Sequence, residues 1–339
     1  MTKLHLDLGE NSYDVIVGNG LIKNAQKYLN LNRKVLVVTD SGVPEEYSNT
    51  ICSQCAKYKK ITVAQGEGSK SFETLQTILS AMCEFSMDRK DCAVAVGGGV
   101  VGDLVGFAAS IYMRGIDFYN IPTTVLSQVD SSIGGKTAIN FNGIKNIIGA
   151  FHQPKRVLVD IDTLNTLSER QISNGLAEAV KMSLTSDVKL FEKFERLTYS
   201  QIKENLEDII LRSLKIKKYV VEQDEKESGL RRILNFGHTF GHGIEAETEM
   251  KGTYHGECVS LGMIPVSSKI VRERLIPVLN KLNLPTMMPC DVEKALRYVS
   301  HDKKCDGNSI NVVLVQEVGS FEIKKLTFEQ FDELVKLAF

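Results

Sequence analysis

Three of the chain's six histidines fall in one stretch, GLRRILNFGHTFGHGIEAETEMKGTYHGE, running from Gly229 to Glu257. His238 and His242 stand four residues apart, so a helix would project both from one face, and His255 follows an acidic, polar segment. Two imidazoles and a carboxylate around an open position form the ligand set of a divalent metal that works on a substrate. The flanking glycines would let backbones approach closely. A lone histidine is usually a surface or satisfied core group; three this close are poorly described that way. Arg231, Asn235, His238 and His242 are spaced 4, 3 and 4, the spacing of one continuous helical stripe. A guanidinium, an amide and two imidazoles cannot pack as a core without partners, so this stripe is expected to line a polar cavity. It is not a metalloprotease helix, because no glutamate follows His238.

A carboxylate for such a metal stands upstream. In GLAEAVK, Glu178 and Lys181 are i, i+3 neighbours on one helix face. Spacing alone describes a surface ion pair. The alanine-rich apolar surroundings instead predict that the pair faces something buried, with Glu178 as third ligand and Lys181 as its charge partner.

The N-terminal half carries a different chemistry. In AVAVGGGVVGDLVG (Ala93–Gly106) an apolar strand runs into three glycines and then a helix whose first turn holds Gly102 and Asp103. Free N–H groups and the helix dipole at such a turn suit a pyrophosphate, although the spacing is not G-x-G-x-x-G. Lys34–Thr39 reads as a buried parallel strand. Asp40 beyond it fits a ribose-binding acid or a plain turn aspartate equally well. A third strand is expected near Lys60–Ala64. Glu67 and Lys70 follow, then a helix from Phe72 to Phe85. The paired hydroxyls of Thr123 and Thr124 could reach a cofactor. In QVDSSIGGKT, Lys136 after two glycines resembles a P-loop, but the upstream glycine is missing; an anion-binding loop is the better reading. Val157–Ile161 reads as a further strand, and beyond it come long helices such as Gln201–Val221. The tail adds the basic run His301–Lys304, read as solvated charge, before a β-like Ile310–Val315.

These elements give an α/β N-terminal Rossmann-like dinucleotide-binding domain over residues 1–160. A mainly α-helical metal- and substrate-binding domain follows over 161–339, with the active site expected in the cleft between them. A length of 339 residues suits two domains. The chain is 43% apolar and 24% charged, with a net charge of −1, which argues against nucleic-acid binding or a polybasic membrane surface. No apolar run reaches about 18 residues, and the N-terminus lacks a signal-peptide core, so a cytoplasmic protein is expected. Seven scattered cysteines, with Cys52 and Cys55 the one close pair, read as reduced thiols.

Taken together, GGGVVGDLVGF, YMRG, PTTVLSQVDSSIGGKT, KNIIGAFHQP, GLAEAVK, GLRRILNFGHTFGH and HGECVSLGM resemble the 3-dehydroquinate synthases of the sugar phosphate cyclase group. The resemblance runs from about Asp40 to Lys304. It implies zinc, with cobalt as a substitute, on Glu178, His238 and His255, which turns His242 from a metal partner into a substrate contact. It implies NAD contacts at Gly99, Val100, Val101, Gly102, Asp103, Thr123, Thr124, Lys136, Lys145, Thr163, Leu164, Asn165 and Thr166. Asp40, Glu67 and Lys70 would lie near the adenosine part. Arg114, Asn146, Lys217, Arg231, Asn235, His242 and one of Lys303 or Lys304 would bind substrate, with Arg114 reaching the neighbouring subunit of a homodimer. Lys181, Asp130, Lys136, His242, Asn235 and Arg231 make up the implied catalytic set. The implied reaction turns 3-deoxy-D-arabino-heptulosonate 7-phosphate into 3-dehydroquinate and phosphate, a lyase step of the shikimate pathway. It proceeds by transient oxidation at C5, β-elimination of phosphate, reduction and intramolecular aldol closure. Ala179-Val180 and Met182-Ser183 depart from the family's usual residues, beside and not on the ligand positions. Two alternatives remain. One is a 2-deoxy-scyllo-inosose synthase-type cyclase on glucose 6-phosphate, which meets no carboxylate and so would not need both Arg231 and Lys217. The other is a metal-dependent NAD(P) polyol or glycerol-phosphate dehydrogenase, which would consume its cofactor.

Overall fold

The computed structural model describes residues 1–248, 252–301 and 309–339. The chain divides into two compact units, Met1–Leu167 and Ser168–Phe339.

In the first unit the strands are β1 (Thr2–Leu6), β2 (Tyr13–Gly18), β3 (Lys34–Asp40), β4 (Lys57–Val63), β5 (Cys92–Gly97), β6 (Asp117–Pro122), β7 (Lys136–Phe141), β8 (Ile144–Phe151) and β9 (Arg156–Asp160). Seven of them form one sheet in the order β1-β2-β9-β6-β5-β3-β4. The β1–β2 pair is antiparallel and every other pairing in that sheet is parallel. Successive residues of a strand face opposite ways, and both faces here are covered. Leu36, Val38, Ala93 and Ala95 pack toward helices α2 (Phe72–Glu84) and α3 (Gly99–Ile111). Val35, Val37, Cys92, Val94 and Val96 pack on the other face, with Leu21, Ile22, Ala25 and Ile51. Ile51 belongs to α1 (Glu45–Cys52). Two covered faces are why VLVV and AVAV are unbroken apolar runs. Each such valine, leucine or isoleucine contributes roughly 1.5–3 kcal/mol by burial.

β3 connects outward to edge strand β4, whereas β5 lies on the other side of β3 and continues to β6. The strand order therefore reverses between the carboxyl ends of β3 and β5, the position where open α/β sheets bind ligands. The antiparallel β7–β8 hairpin adds two strands to those expected from the sequence, since β8, IKNIIGAF, has no apolar–polar alternation and is largely exposed.

The second unit opens with α4 (Glu169–Ser186), whose N-terminus is closed by a Ser168–Gln171 capping box. From Gly175 to Thr185 every residue of α4 is buried, as in a helix surrounded by others. Next come α5 (Val188–Arg196), α6 (Tyr199–Glu204) and α7 (Leu206–Gln223). The single helix expected over 201–221 is broken at Asn205, whose side-chain amide donates to the Gln201 carbonyl at 2.8 Å; such local bonds compete with the helix ladder.

A 3-10 turn, Leu230–Asn235, leads to α8 (His238–Glu247) and α9 (His255–Met263). The continuous stripe expected from Arg231 to His242 is corrected here. Phe236 has an extended ψ of 127° and Gly237 a φ of +76°, so Arg231 and Asn235 lie on the turn and His238 begins a new helix. Helices α10 (Lys269–Lys281) and α11 (Val292–His301), the antiparallel pair β10 (Ser309–Leu314) and β11 (Glu322–Thr327), and α12 (Phe328–Lys336) complete the unit.

Candidate metal centre and nucleotide site

Glu178 is fully buried on α4. Its Oε1 lies 3.5 Å from His238 Nε2 and 3.2 Å from His255 Nε2, and its Oε2 is paired with the Lys181 ammonium. One ligating atom from each of Glu178, His238 and His255 falls within 4.8 Å of the others. Among the described residues neither Glu178 oxygen has a hydrogen-bond partner of proper geometry. A buried carboxylate set between an ammonium and two imidazoles, with no hydrogen bond of proper geometry, suits a divalent ion, and His₂-carboxylate is a zinc donor set. Burial opposes the charge on Glu178, but Lys181 and then the two histidines outweigh it and hold the carboxyl well below its usual range. Burial and Lys181 push the His238 imidazole down. For His255 burial is outweighed by Glu178 and Glu245, which push it up to about 10. A bound metal would displace that proton.

Close helix crossing brings these groups together. α9 packs on both α4 and α8. A Cβ at Gly262 would lie 1.8 Å from the Gly237 carbonyl oxygen, and one at Gly256 would lie 2.0 Å from that of Asn174. No larger residue fits at this separation. The start of α9 is held by Arg170, whose guanidinium donates to Glu257 at 2.6 and 2.8 Å and lies 4.4 Å over the Tyr254 ring.

His242 sits one turn along α8, its ring 5.3 Å from that of His238 and 6.3 Å from that of His255. It borders the ligand cluster without joining it. The Leu230–Asn235 turn packs on α4 and α7, and α7 carries the buried Lys217. Asp224 shapes the approach to that turn. Its carboxylate accepts from the backbone N–H groups of Ser228, Gly229 and Arg231 at 2.8, 2.7 and 2.9 Å. Burial is outweighed by these donors, and the carboxyl drops to about 2. Arg231 is 2% exposed and donates to the Glu225 carbonyl. Asn235 donates to Glu227 at 2.9 Å. Lys303 and Lys304 lie outside the described residues.

The sequence reading missed Asp224, Arg170 and Glu245. Glu245 was legible in principle, since it follows His238 by seven residues and so shares its helix face. Asp224 was not, because its role depends on which N–H groups the loop turns toward it.

In the first unit the residues singled out for a nucleotide gather at the carboxyl ends of parallel strands. Asp40 ends β3, where its carboxylate accepts from the Gly42 N–H at 2.7 Å and burial pushes its pKa up. It thus serves its own turn. Gly98 caps α3 with no side-chain partner for the first N–H groups, which leaves donors for an anion. Gly99, Val100, Val101, Gly102 and Asp103 form the opening turn of that helix. Gly102 lies so near β6 that a Cβ would meet Asn120 Nδ2 at 3.0 Å. The Thr123 N–H donates to the Gly97 carbonyl at 3.0 Å, and Thr124 Oγ1 lies 2.8 Å from Ser127 Oγ. Thr163, Leu164, Asn165 and Thr166 lie on the turn Ile161–Thr166 after β9. Gln128 ties Thr163 to β6, donating to Thr163 Oγ1 at 3.1 Å and to the Pro122 carbonyl at 3.0 Å. Three buried hydroxyls, Thr39 Oγ1, Ser131 Oγ and Ser132 Oγ, have no hydrogen-bond partner among the described residues. Buried polar atoms without partners are costly, and one of them borders the glycine turn: a Cβ at Gly99 would reach Ser131 Oγ at 2.9 Å. These residues fit a polar ligand with phosphate and hydroxyl groups.

A second polar group unites Glu67, Lys70, Asp103 and Asn146. The Lys70 ammonium lies 2.6 Å from Asp103 and 3.8 Å from Glu67, and donates to the Asn146 amide oxygen. Asn146 has a φ of +53°, a conformation asparagine tolerates better than most residues. Asp130 lies on the single π-helical turn Ser127–Ser131. Gly134 and Gly135 have φ values of +94° and +70° and lead into β7 instead of a helix, so this turn is not a P-loop. Lys136 and Lys145 are exposed on the hairpin, and Arg114 is exposed after α3 with a φ of +69°.

Comparison with known proteins places these features in context. Residues 60–174 match the family description "3-dehydroquinate synthase N-terminal", and residues 175–305 match "3-dehydroquinate synthase C-terminal". A 3-dehydroquinate synthase of Lactococcus lactis subsp. cremoris is 38% identical, the alignment covering 98% of this chain and 99% of that one. A 2-deoxy-scyllo-inosose synthase, solved with carbaglucose-6-phosphate, NAD+ and Co2+, has the same fold, with a TM-score of 0.91 over the full length of both chains at 24% identity. The 2-epi-5-epi-valiolone synthase of Streptomyces hygroscopicus subsp. jinggangensis, solved with NAD+ and Zn2+, gives a TM-score of 0.87 at 27% identity, covering 98% of this chain and 97% of that one.

Proposed function

The chain belongs to the 3-dehydroquinate synthase family, and from that premise we propose which residues convert 3-deoxy-D-arabino-heptulosonate 7-phosphate to 3-dehydroquinate and phosphate. The observation that carries the assignment is the buried Glu178 carboxylate, facing two imidazole Nε2 atoms and Lys181 with no hydrogen bond of proper geometry among the described residues. Glu178, His238 and His255 hold Zn2+, for which Co2+ substitutes. Such an ion would supply Lewis acidity to substrate hydroxyl groups. NAD held by the first unit would supply a temporary hydride acceptor. The residues that hold it are Gly99, Val100, Val101, Gly102, Asp103, Thr123, Thr124 and the Thr163–Thr166 turn, together with Lys136 and Lys145, while Asp40, Glu67 and Lys70 take its adenosine part.

The remaining work falls to side chains. Arg231 binds the substrate carboxylate through its planar fork, with Lys217 as a second cation. Lys136, Asn146, Asn235 and His242 bind the phosphate, joined by Arg114 of a second copy and by Lys303 or Lys304. Lys181 and Asp130 hold the hydroxyl groups in register with the leaving phosphate. A carboxylate-bearing substrate is favoured over glucose 6-phosphate because Arg231 and Lys217 are both buried cations, and a guanidinium with an ammonium suits a carboxylate. Homodimerisation is supported by exposed apolar side chains on the β7–β8 hairpin, namely Phe141, Ile144, Ile147 and Phe151, and by Met113 beside Arg114. Sedimentation velocity tests it, with a single species near 37.7 kDa as the contrary result. No helix among the described residues is long and apolar enough to cross a membrane, and a cytoplasmic location accords with that.

The deciding experiment follows phosphate release from 3-deoxy-D-arabino-heptulosonate 7-phosphate by zinc-loaded protein with catalytic NAD, together with absorbance at 340 nm. Many phosphates per NAD and no net NADH are expected. Release only from glucose 6-phosphate would point to the inosose-forming reaction. Steady NADH production from a polyol or glycerol phosphate would overturn the cyclase mechanism.

A further inference from the structure

His255 is held at both ring nitrogens. Its Nε2 faces Glu178 at 3.2 Å, and its Nδ1 lies 2.5 Å from Oε1 of Glu245 on α8. Glu245 is 4% exposed. His238 is held differently, with its Nδ1 3.2 Å from the backbone carbonyl of Phe236. A carboxylate can only accept from a histidine, so Nδ1 carries the hydrogen there, and the nitrogen left to give up its proton to a metal is Nε2, on the Glu178 side. We propose that Glu245 is a positioning residue of the metal centre, orienting His255 and fixing the tautomer that presents Nε2 to the ion.

Charge supports the same assignment. A divalent cation beside Lys181 would add two positive charges to one already present, and Glu178 alone cancels one. Glu245 brings a second anion into contact with a ligand and not with the ion, which raises ligand basicity without filling the open position. Helix geometry makes this possible. Glu245 follows His238 by seven residues, so one face of α8 carries both a ligand and the support for the ligand on α9.

The inference rests on the zinc reading above, and the test separates the two. Zinc affinity would be measured by competition with a chromophoric chelator for wild type, Glu245→Gln and Glu245→Ala. NAD affinity, the melting temperature of the metal-free protein and the visible spectrum of the cobalt form would be recorded alongside. Glutamine keeps the volume and an acceptor oxygen but loses the charge. The expected result is zinc binding weakened about tenfold in Glu245→Gln and about a hundredfold in Glu245→Ala. An altered cobalt spectrum should accompany it, while the NAD affinity of Glu245→Gln stays unchanged. Zinc affinity within twofold of wild type in both variants would overturn the role. So would a cobalt spectrum in Glu245→Gln identical to that of wild type, since a residue that orients a ligand must change the ligand field when its charge is removed. A wild-type protein that binds no zinc would overturn the metal reading, and this assignment with it.

Discussion

At the scale of single residues, the second unit depends on buried charges placed against one another. Glu178 and Lys181 are both essentially inaccessible, and an ion pair in that setting is stable only while both partners are present. Glu178→Gln leaves the Lys181 ammonium buried without its carboxylate. It should cost the metal-free protein about 3–5 kcal/mol, seen as a lower urea midpoint, and Lys181→Met in the same chain should recover most of the loss. A midpoint unchanged by Glu178→Gln would mean that the pair is solvated. Asp224 gives a prediction with a pH sign. Its pKa falls from 3.8 to about 2 on folding because three backbone donors outweigh burial. The stability it confers is therefore complete above 3.8 and lost as the pH falls through about 2. Asp224→Asn should remove that acid dependence, cost about 2 kcal/mol at neutral pH, and raise KM for a carboxylate substrate by loosening Arg231. Acid titration of the urea midpoint checks the first part, and steady-state kinetics the second. The ligand set itself was legible in the sequence only through resemblance. The i, i+4 pair pointed to His238 with His242, whereas the crossing of α8 with α9 is what brings His255 to within 3.2 Å of Glu178.

At the scale of elements, legibility followed from whether one periodicity ruled a segment. Buried strands β3 and β5 were plain because both faces are apolar, and α4 because its apolar residues run around the whole helix. Segments governed by a single local bond were not. Asn205 divides one long helical pattern in two, and Gly237 divides the polar stripe. Neither effect has a period to read. The glycines of the histidine stretch were noticed as permissive, but their reason lies in a partner element. Gly262→Ala would force its new methyl into the Gly237 carbonyl. Overpacking of this kind costs about 1–3 kcal/mol. Because it separates α8 from α9, zinc affinity should fall together with the urea midpoint. A variant that lost stability while binding zinc as tightly as wild type would show that the crossing is not what sets the ligand geometry.

At the scale of the whole molecule, the two chemistries are assigned to different units of the chain. Every residue assigned to the metal belongs to 168–339, and every residue assigned to NAD belongs to 1–167. A ligand that binds only the folded form stabilises what it binds, by about 2.7 kcal/mol at a hundred times its Kd. That stabilisation should appear locally, because opening reactions differ across a structure. Hydrogen exchange measured with and without each ligand should therefore separate the units. Zinc is expected to slow exchange in α4, α8 and α9, which carry its proposed ligands and their proposed supports, and to leave β3, β5 and the start of α3 near their metal-free rates. NAD is expected to do the reverse, protecting the Gly97–Asp103 turn and the Thr163–Thr166 segment. Removing zinc with a chelator should then lower the stability of the second unit without releasing NAD. If either ligand alone protected both sets of segments equally, the units would open as one cooperative body. The assignment of separate cofactor duties to separate halves would then have to rest on the individual residue variants alone.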